Sequence, residues 1–174
     1  MRWERLFEDL EAQLAAAQAQ EQRAGLVELV RAERASTRLA DRLRASRGLS
    51  LRVQVLPGEA DGVVTGDLVE IGTDWLLLAE QTGGRALVPW AAVQAVAGLA
   101  PYAAPEDHDL RARLGLPHAL RALSRDRVEV ALSTDARTLV GRLDRVGADH
   151  VDLTPSAGPP WTVPIAALRV VRSR

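Results

Sequence analysis

Three histidines, 23 carboxylates and 22 arginines are the only residues in this 174-residue chain with obvious chemical reach, since it has no cysteine and no lysine. His108 sits in "EDHD" (Glu106–Asp109), where three acids flank an imidazole in a Pro-flanked stretch. A metal centre would need those ligands to converge from one short loop, with no further ligand set in view to complete the shell. A solvated linker whose acids precede the helical pattern "DLRARLG" accounts for the same residues more simply, because carboxylates favour the positive end of a helix. His150 takes the place of Trp75 in the internal repeat and reads as a packing or surface residue rather than a base. No serine lies in a G-x-S-x-G elbow. The glycine pairs fall where hairpins are expected rather than ahead of helices, so neither a P-loop nor a dinucleotide fingerprint is present. The expectation is a protein without catalytic residues, cofactor or metal.

Charge is distributed unevenly. Residues 48–110 carry 2 Arg against 9 acids, whereas residues 111–174 carry 11 Arg against 6 acids. Arg125, Arg127, Arg142, Arg145, Arg169 and Arg172, with Arg174 at the end, are candidates for a phosphate-tracking stripe in the second half. Only six aromatic residues exist, and Trp161 is the only one in that half, so platforms for stacking bases are scarce. Complementary fields that bring the acidic and basic halves together, within a chain or between chains, explain the asymmetry without nucleic acid.

The elements that would carry these residues come from an internal repeat. A shift of 75 positions aligns 52–96 with 127–171 without a gap, and about 14 of the 45 aligned positions are identical. Val53/Val128, Gly66/Gly141, Leu68/Leu143, Gly72/Gly147, Asp74/Asp149, Leu78/Leu153, Gly83/Gly158 and Pro89/Pro164 are among them. Each copy divides into five short strands. "LRVQV" and "RVEVAL" alternate as half-buried strands do. "VVTGDLVEI" and "TLVGRLDRV" hold a mid-strand glycine, the mark of a bend or bulge. A G-x-D turn follows, in which the aspartate is expected to bond the next amides. Then come "WLLLA" or "HVDLT", a loop, "ALVP" or "WTVP", and a last strand. Five bent strands predict a small closed barrel. Trp75 and Trp90 are expected to fill the core of the first one.

This order of strand, G-x-L, G-x-D turn, apolar strand, loop and two short strands resembles the Sm-like (LSm-type) family. The resemblance covers about three-fifths of the chain and implies a helix before each set of five strands. "STRLADRLRAS" (Ser36–Ser46) and "LPHALRALSRD" (Leu116–Asp126) supply these, with Pro117 suited to a first helical turn. Where Sm-like RNA binders carry Asn after the turn aspartate and an Arg-Gly pair later, this chain has Trp75-Leu76 or His150-Val151, and Val88-Pro89 or Val163-Pro164. The family's RNA-binding residues therefore do not transfer. The whole layout also resembles an uncharacterised family of high-GC Gram-positive bacteria.

The fold expected is mainly β with α: two Sm-like or SH3-like five-stranded barrels in tandem, each preceded by a helix, behind an amphipathic N-terminal helix. The boundaries read 1–47 for the helical segment, 48–99 for the first barrel, 100–115 for a linker and 116–174 for helix plus second barrel. Trp3, Leu6, Phe7, Leu10, Leu14 and Ala17 mark the N-terminal face, and Leu26, Leu29, Val30 and Ala32 resume it. The opening residues mix charges with apolar positions and hold no signal-peptide core. Ala86–Pro105 has no charge over 20 residues, but four Pro and Gly positions break it, so strands and a linker are expected there rather than a membrane span. Together these readings predict a cytoplasmic, non-catalytic interaction or scaffold protein that self-associates or binds a protein partner. No membrane and no small-molecule substrate is expected. The alternative is a nucleic-acid-binding regulator using the arginine-rich half.

Overall fold

A computed structural model describes residues 31, 35–56, 62–105 and 114–173. The expected N-terminal helix faces, the Glu106–Asp109 cluster and Arg174 lie outside the described residues. The chain divides into two compact units, 1–38 and 39–174, and the second holds the features below.

Residues 39–174 are mainly β. Helix α1 (Leu39–Ala45) precedes strands β1 (Ser50–Gln54), β2 (Val63–Ile71), β3 (Trp75–Glu80), β4 (Gly84–Pro89) and β5 (Ala95–Ala97). Helix α2 (Leu116–Arg125) precedes β6 (Glu129–Ser133), β7 (Thr138–Val146), β8 (His150–Thr154), β9 (Trp161–Pro164) and β10 (Val170–Ser173). A 3-10 turn links β4 to β5 at Trp90–Ala92, and another links β9 to β10 at Ile165–Ala167. The uncharged stretch 86–105 thus forms most of β4, a turn, β5 and a return loop. No helix among the described residues is long and apolar enough to cross a membrane.

All ten strands join one antiparallel sheet in the order β5-β1-β2-β3-β4-β10-β6-β7-β8-β9. The first half runs β5-β1-β2-β3-β4 and the second runs β10-β6-β7-β8-β9, the same order with each label advanced by five. Two separate closed barrels were expected, and here the structure differs: the sheet is open. Closing each half would require its fourth strand to meet its own fifth. Instead β4 bonds to β10, with Leu87 opposite Val171, and among the described residues the outer sides of β5 and β9 stay unpaired.

Local geometry follows the sequence at matching places. Register shifts interrupt β2/β3 between Leu68 and Glu70, and β7/β8 between Leu143 and Arg145. Gly66 and Gly141 lie just before these bulges. A Cβ at Gly66 would collide with the Ala79 carbonyl oxygen, and one at Gly141 with that of Thr154. Only glycine lets the bent strand approach its neighbour so closely.

Two apolar clusters form, and they share their central strands. Leu51, Val53, Val64, Leu68, Leu76 and Leu78 belong to the first, with Leu43 of α1. Val130, Leu132, Leu143, Val151 and Leu153 belong to the second, with Leu116 and Leu120 of α2. Alternation along β3 and β4 sends Leu76, Leu78, Ala86 and Val88 to the first cluster but Trp75 and Leu87 to the second. On β10, Val170 enters the first cluster and Val171 the second. Strands covered on both faces read as continuous apolar runs, which explains "WLLLA" and "ALVP" against the alternating "HVDLT" and "WTVP". Trp75 is therefore a core residue, 4% exposed, but of the second half rather than the first as expected. Trp90 packs half-buried on the first cluster and donates its indole N–H to the Trp75 carbonyl at 3.1 Å.

Candidate interaction edges and the arginine positions

The junction of the halves combines main-chain pairing, an ion pair and a buried apolar contact. Main-chain pairing runs Arg85↔Ser173, Ala86↔Arg172 and Leu87↔Val171. The Arg172 guanidinium donates to Glu80 at 3.1 Å, an ion pair across the seam with both side chains less than one-third exposed. Next to the strands, the G-x-D turn of the first half grips the helix of the second. Asp74 Oδ1 accepts the Leu116 N–H at 2.7 Å, and the Trp75 indole donates to the Leu114 carbonyl at 2.8 Å. A carboxylate at the first turn of α2 meets free amide donors and the positive end of the helix dipole. The sequence expectation that this aspartate bonds its own turn misses this longer reach. Its counterpart, Asp149, has its side chain beside His150 instead, with Nδ1···Oδ1 2.8 Å. That hydrogen bond, with the nearby imidazole charge, holds the Asp149 carboxyl below its ordinary range.

Helix α1 is fastened differently. Arg42 donates twice to the Ala100 carbonyl, at 3.3 and 3.0 Å, while Ser46 Oγ donates to the Arg42 carbonyl and accepts the Ala100 N–H. A seven-residue helix has little stability of its own, so these bonds and buried Leu43 hold it.

The six arginines singled out in the second half fall into separate settings. Arg169 makes a bidentate pair with Asp135, at 2.7 and 2.6 Å. Its hydrogen bond is the main reason that the Asp135 carboxyl titrates below its ordinary range and the Arg169 guanidinium above its own. Arg172 faces Glu80 in the seam. Arg142 lies exposed on β7, in register with Glu129 of β6, and Arg145 is in register with Asp152 of β8. Arg125 ends α2 and Arg127 follows in the turn at a positive φ of 51°. Acids thus stand beside four of the six positions. Arg137, which was not singled out, lies over the exposed Trp161 ring at 5.2 Å.

Between α2 and the β3/β4 face a cleft of about 380 Å³ opens, floored by Trp75, Leu77 and Leu87 and rimmed by Glu70, Arg85 and His118. Among the described residues, no group of three His, Cys, Asp or Glu side chains is placed to hold a metal ion. In comparisons with known proteins, no family model matches the chain and no curated protein matches its sequence.

The seam itself was only partly legible. The sequence pointed to two similar strand sets and to complementary charge that brings the halves together. What singles out β4 and β10 is burial on both faces, with Ala86, Val88 and Val170 in the first cluster and Leu87 and Val171 in the second, visible beforehand only as apolar runs that fail to alternate.

Proposed function

We propose that this chain is a non-catalytic, cytoplasmic interaction protein in which two Sm-like five-strand units are fused edge to edge. Its partners are proteins, either a second copy of the chain or another polypeptide, met through main-chain edges and the surfaces beside them. The observation that carries this reading is the β4·β10 seam, where one strand edge of each half is paired with the other. Unpaired edges recruit strands, and among the described residues two remain, along β5 and β9. The seam ion pair of Arg172 with Glu80 fits the opposite charge of the halves and needs no nucleic acid.

The test is affinity purification of the full-length chain from its native cell, with and without nuclease, combined with light scattering of the purified protein. Protein capture or self-association that resists nuclease supports the proposal. A strict monomer that retains no protein partner overturns it, and recovery only of nuclease-sensitive material favours the nucleic-acid alternative.

A further inference from the structure

The seam supplies a standard against which the free β9 edge can be judged. If a third unit were added to β9 as β10 adds to β4, Thr162 would oppose Val96 of the next chain, because these residues match Leu87 and Val171 at the repeat offset. We infer that β9 is closed to this addition, so that the chain is a self-terminated pair of units and does not grow head to tail. The inference refines the proposed function, and rests on it for the importance of edges, by removing one of the two.

Three features of the fold carry it. The first is the loss of a donor. The Trp90 amide bonds to the Asp74 carbonyl and Trp75 pairs with Pro89, so alternation turns Arg85 and Leu87 toward β10. The same pattern holds in the second half, where the Ile165 amide bonds to the Asp149 carbonyl and His150 pairs with Pro164. Alternation therefore turns Pro160 and Thr162 outward, and Pro160, in place of Arg85, has no N–H to give. Of the two strand donors the seam uses on β4, one remains on β9.

The second feature is the face beside the edge. In the seam, Trp75, Leu77 and Leu87 lie under the core of the adjoining unit. Their counterparts are His150, Asp152 and Thr162, polar residues partly or fully exposed. Thr162 Oγ1 donates to Asp152 Oδ1 at 2.7 Å, so these side chains satisfy each other on an open surface. Covering them with a third apolar core would take the Asp152 carboxylate out of water.

The third feature is the size of the joining residues. Val170 enters the first cluster opposite Val88, one step along from the Leu87↔Val171 pair. At the outer edges Val163 keeps the place of Val88, but Ala95 replaces Val170. The apolar plug is missing from the incoming strand.

The chain has no cysteine, so a disulfide reporter can be placed without removing any. In full-length Thr162→Cys/Val96→Cys protein under mild oxidation, the expected result is no covalent ladder beyond that of the single-cysteine controls. A ladder of linked chains overturns the inference. In the opposite direction, Asp152→Leu/Pro160→Arg/Thr162→Leu should raise the mass seen by light scattering at least twofold over the native chain. Adding Val96→Pro, which removes the outward donor on β5, should reverse that gain. An unchanged mass in a folded triple variant, or growth that survives Val96→Pro, shows that these residues do not close the edge. Neither arm depends on an external partner, so failure of the affinity purification would leave this result standing, and the reverse also holds.

Discussion

Residues matched by the repeat have unequal duties, and substitution should expose the difference. Leu87 is buried in the second cluster, whereas Thr162 at the same place in the other copy is exposed. Leu87→Ala should therefore cost about 2–5 kcal/mol of unfolding free energy by denaturant titration, and Thr162→Ala no more than about 0.5 kcal/mol. Asp135 provides a pH readout. With Arg169 donating to it, its carboxyl stays ionised at a pH where an ordinary aspartate begins to protonate. A carboxyl with a lowered folded-state pKa adds stability above its ordinary range and loses it only as pH falls through the lowered value. Arg169→Ala should thus move the Asp135 midpoint, followed by carboxyl NMR, upward toward the ordinary aspartate range. Because Asp135 is solvent-exposed, global stability at neutral pH should hardly change.

At the scale of elements, what matters is which turn holds which helix. Asp74 belongs to the β2–β3 turn yet accepts the first amide of α2 from across the seam. Asp74→Ala should lower stability by about 0.5–2 kcal/mol, the usual range for losing a capping carboxylate. Asp149→Ala, in the matching turn, removes only an exposed contact to His150 and should leave the melting temperature nearly unchanged. The bent second strands make the complementary case. A methyl group at Gly66 or Gly141 meets a carbonyl of the adjacent strand, so Gly66→Ala and Gly141→Ala should each cost about 1–3 kcal/mol. Thermal melts of the four single variants give the ranking.

For the whole molecule, the clusters are interlocked rather than merely adjacent. Val170 comes from the second half and completes the first cluster, while Trp75 and Leu87 do the reverse. Residues 39–174 should therefore melt in one calorimetric transition, with van't Hoff and calorimetric enthalpies in agreement. Two resolved transitions within this unit would show that the halves fold independently. The same interlocking accounts for what was legible in advance. Strand positions, the mid-strand glycines and the helix over 116–125 were readable, because alternation, bends and Pro117 leave local marks in the chain. The direction in which Trp75 buries was not readable, because a tryptophan at a strand start fits either face. Nor could the arginine cluster be resolved, since register with Glu129 and Asp152, and the reach to Asp135 and Glu80, exist only after the strands pair.

The amino-acid order alone determined a β-rich chain with two matching sets of five short strands, each preceded by a helix. These are products of local periodicity, glycine placement and turn chemistry, which act over a few residues. The tertiary structure alone decided that β4 pairs with β10, so that the strands form one open sheet in place of two closed ones. Pairing is a contest among edges distant in sequence. It is settled by which strand can bury both of its faces at once, and β4 and β10 do so only when they lie side by side.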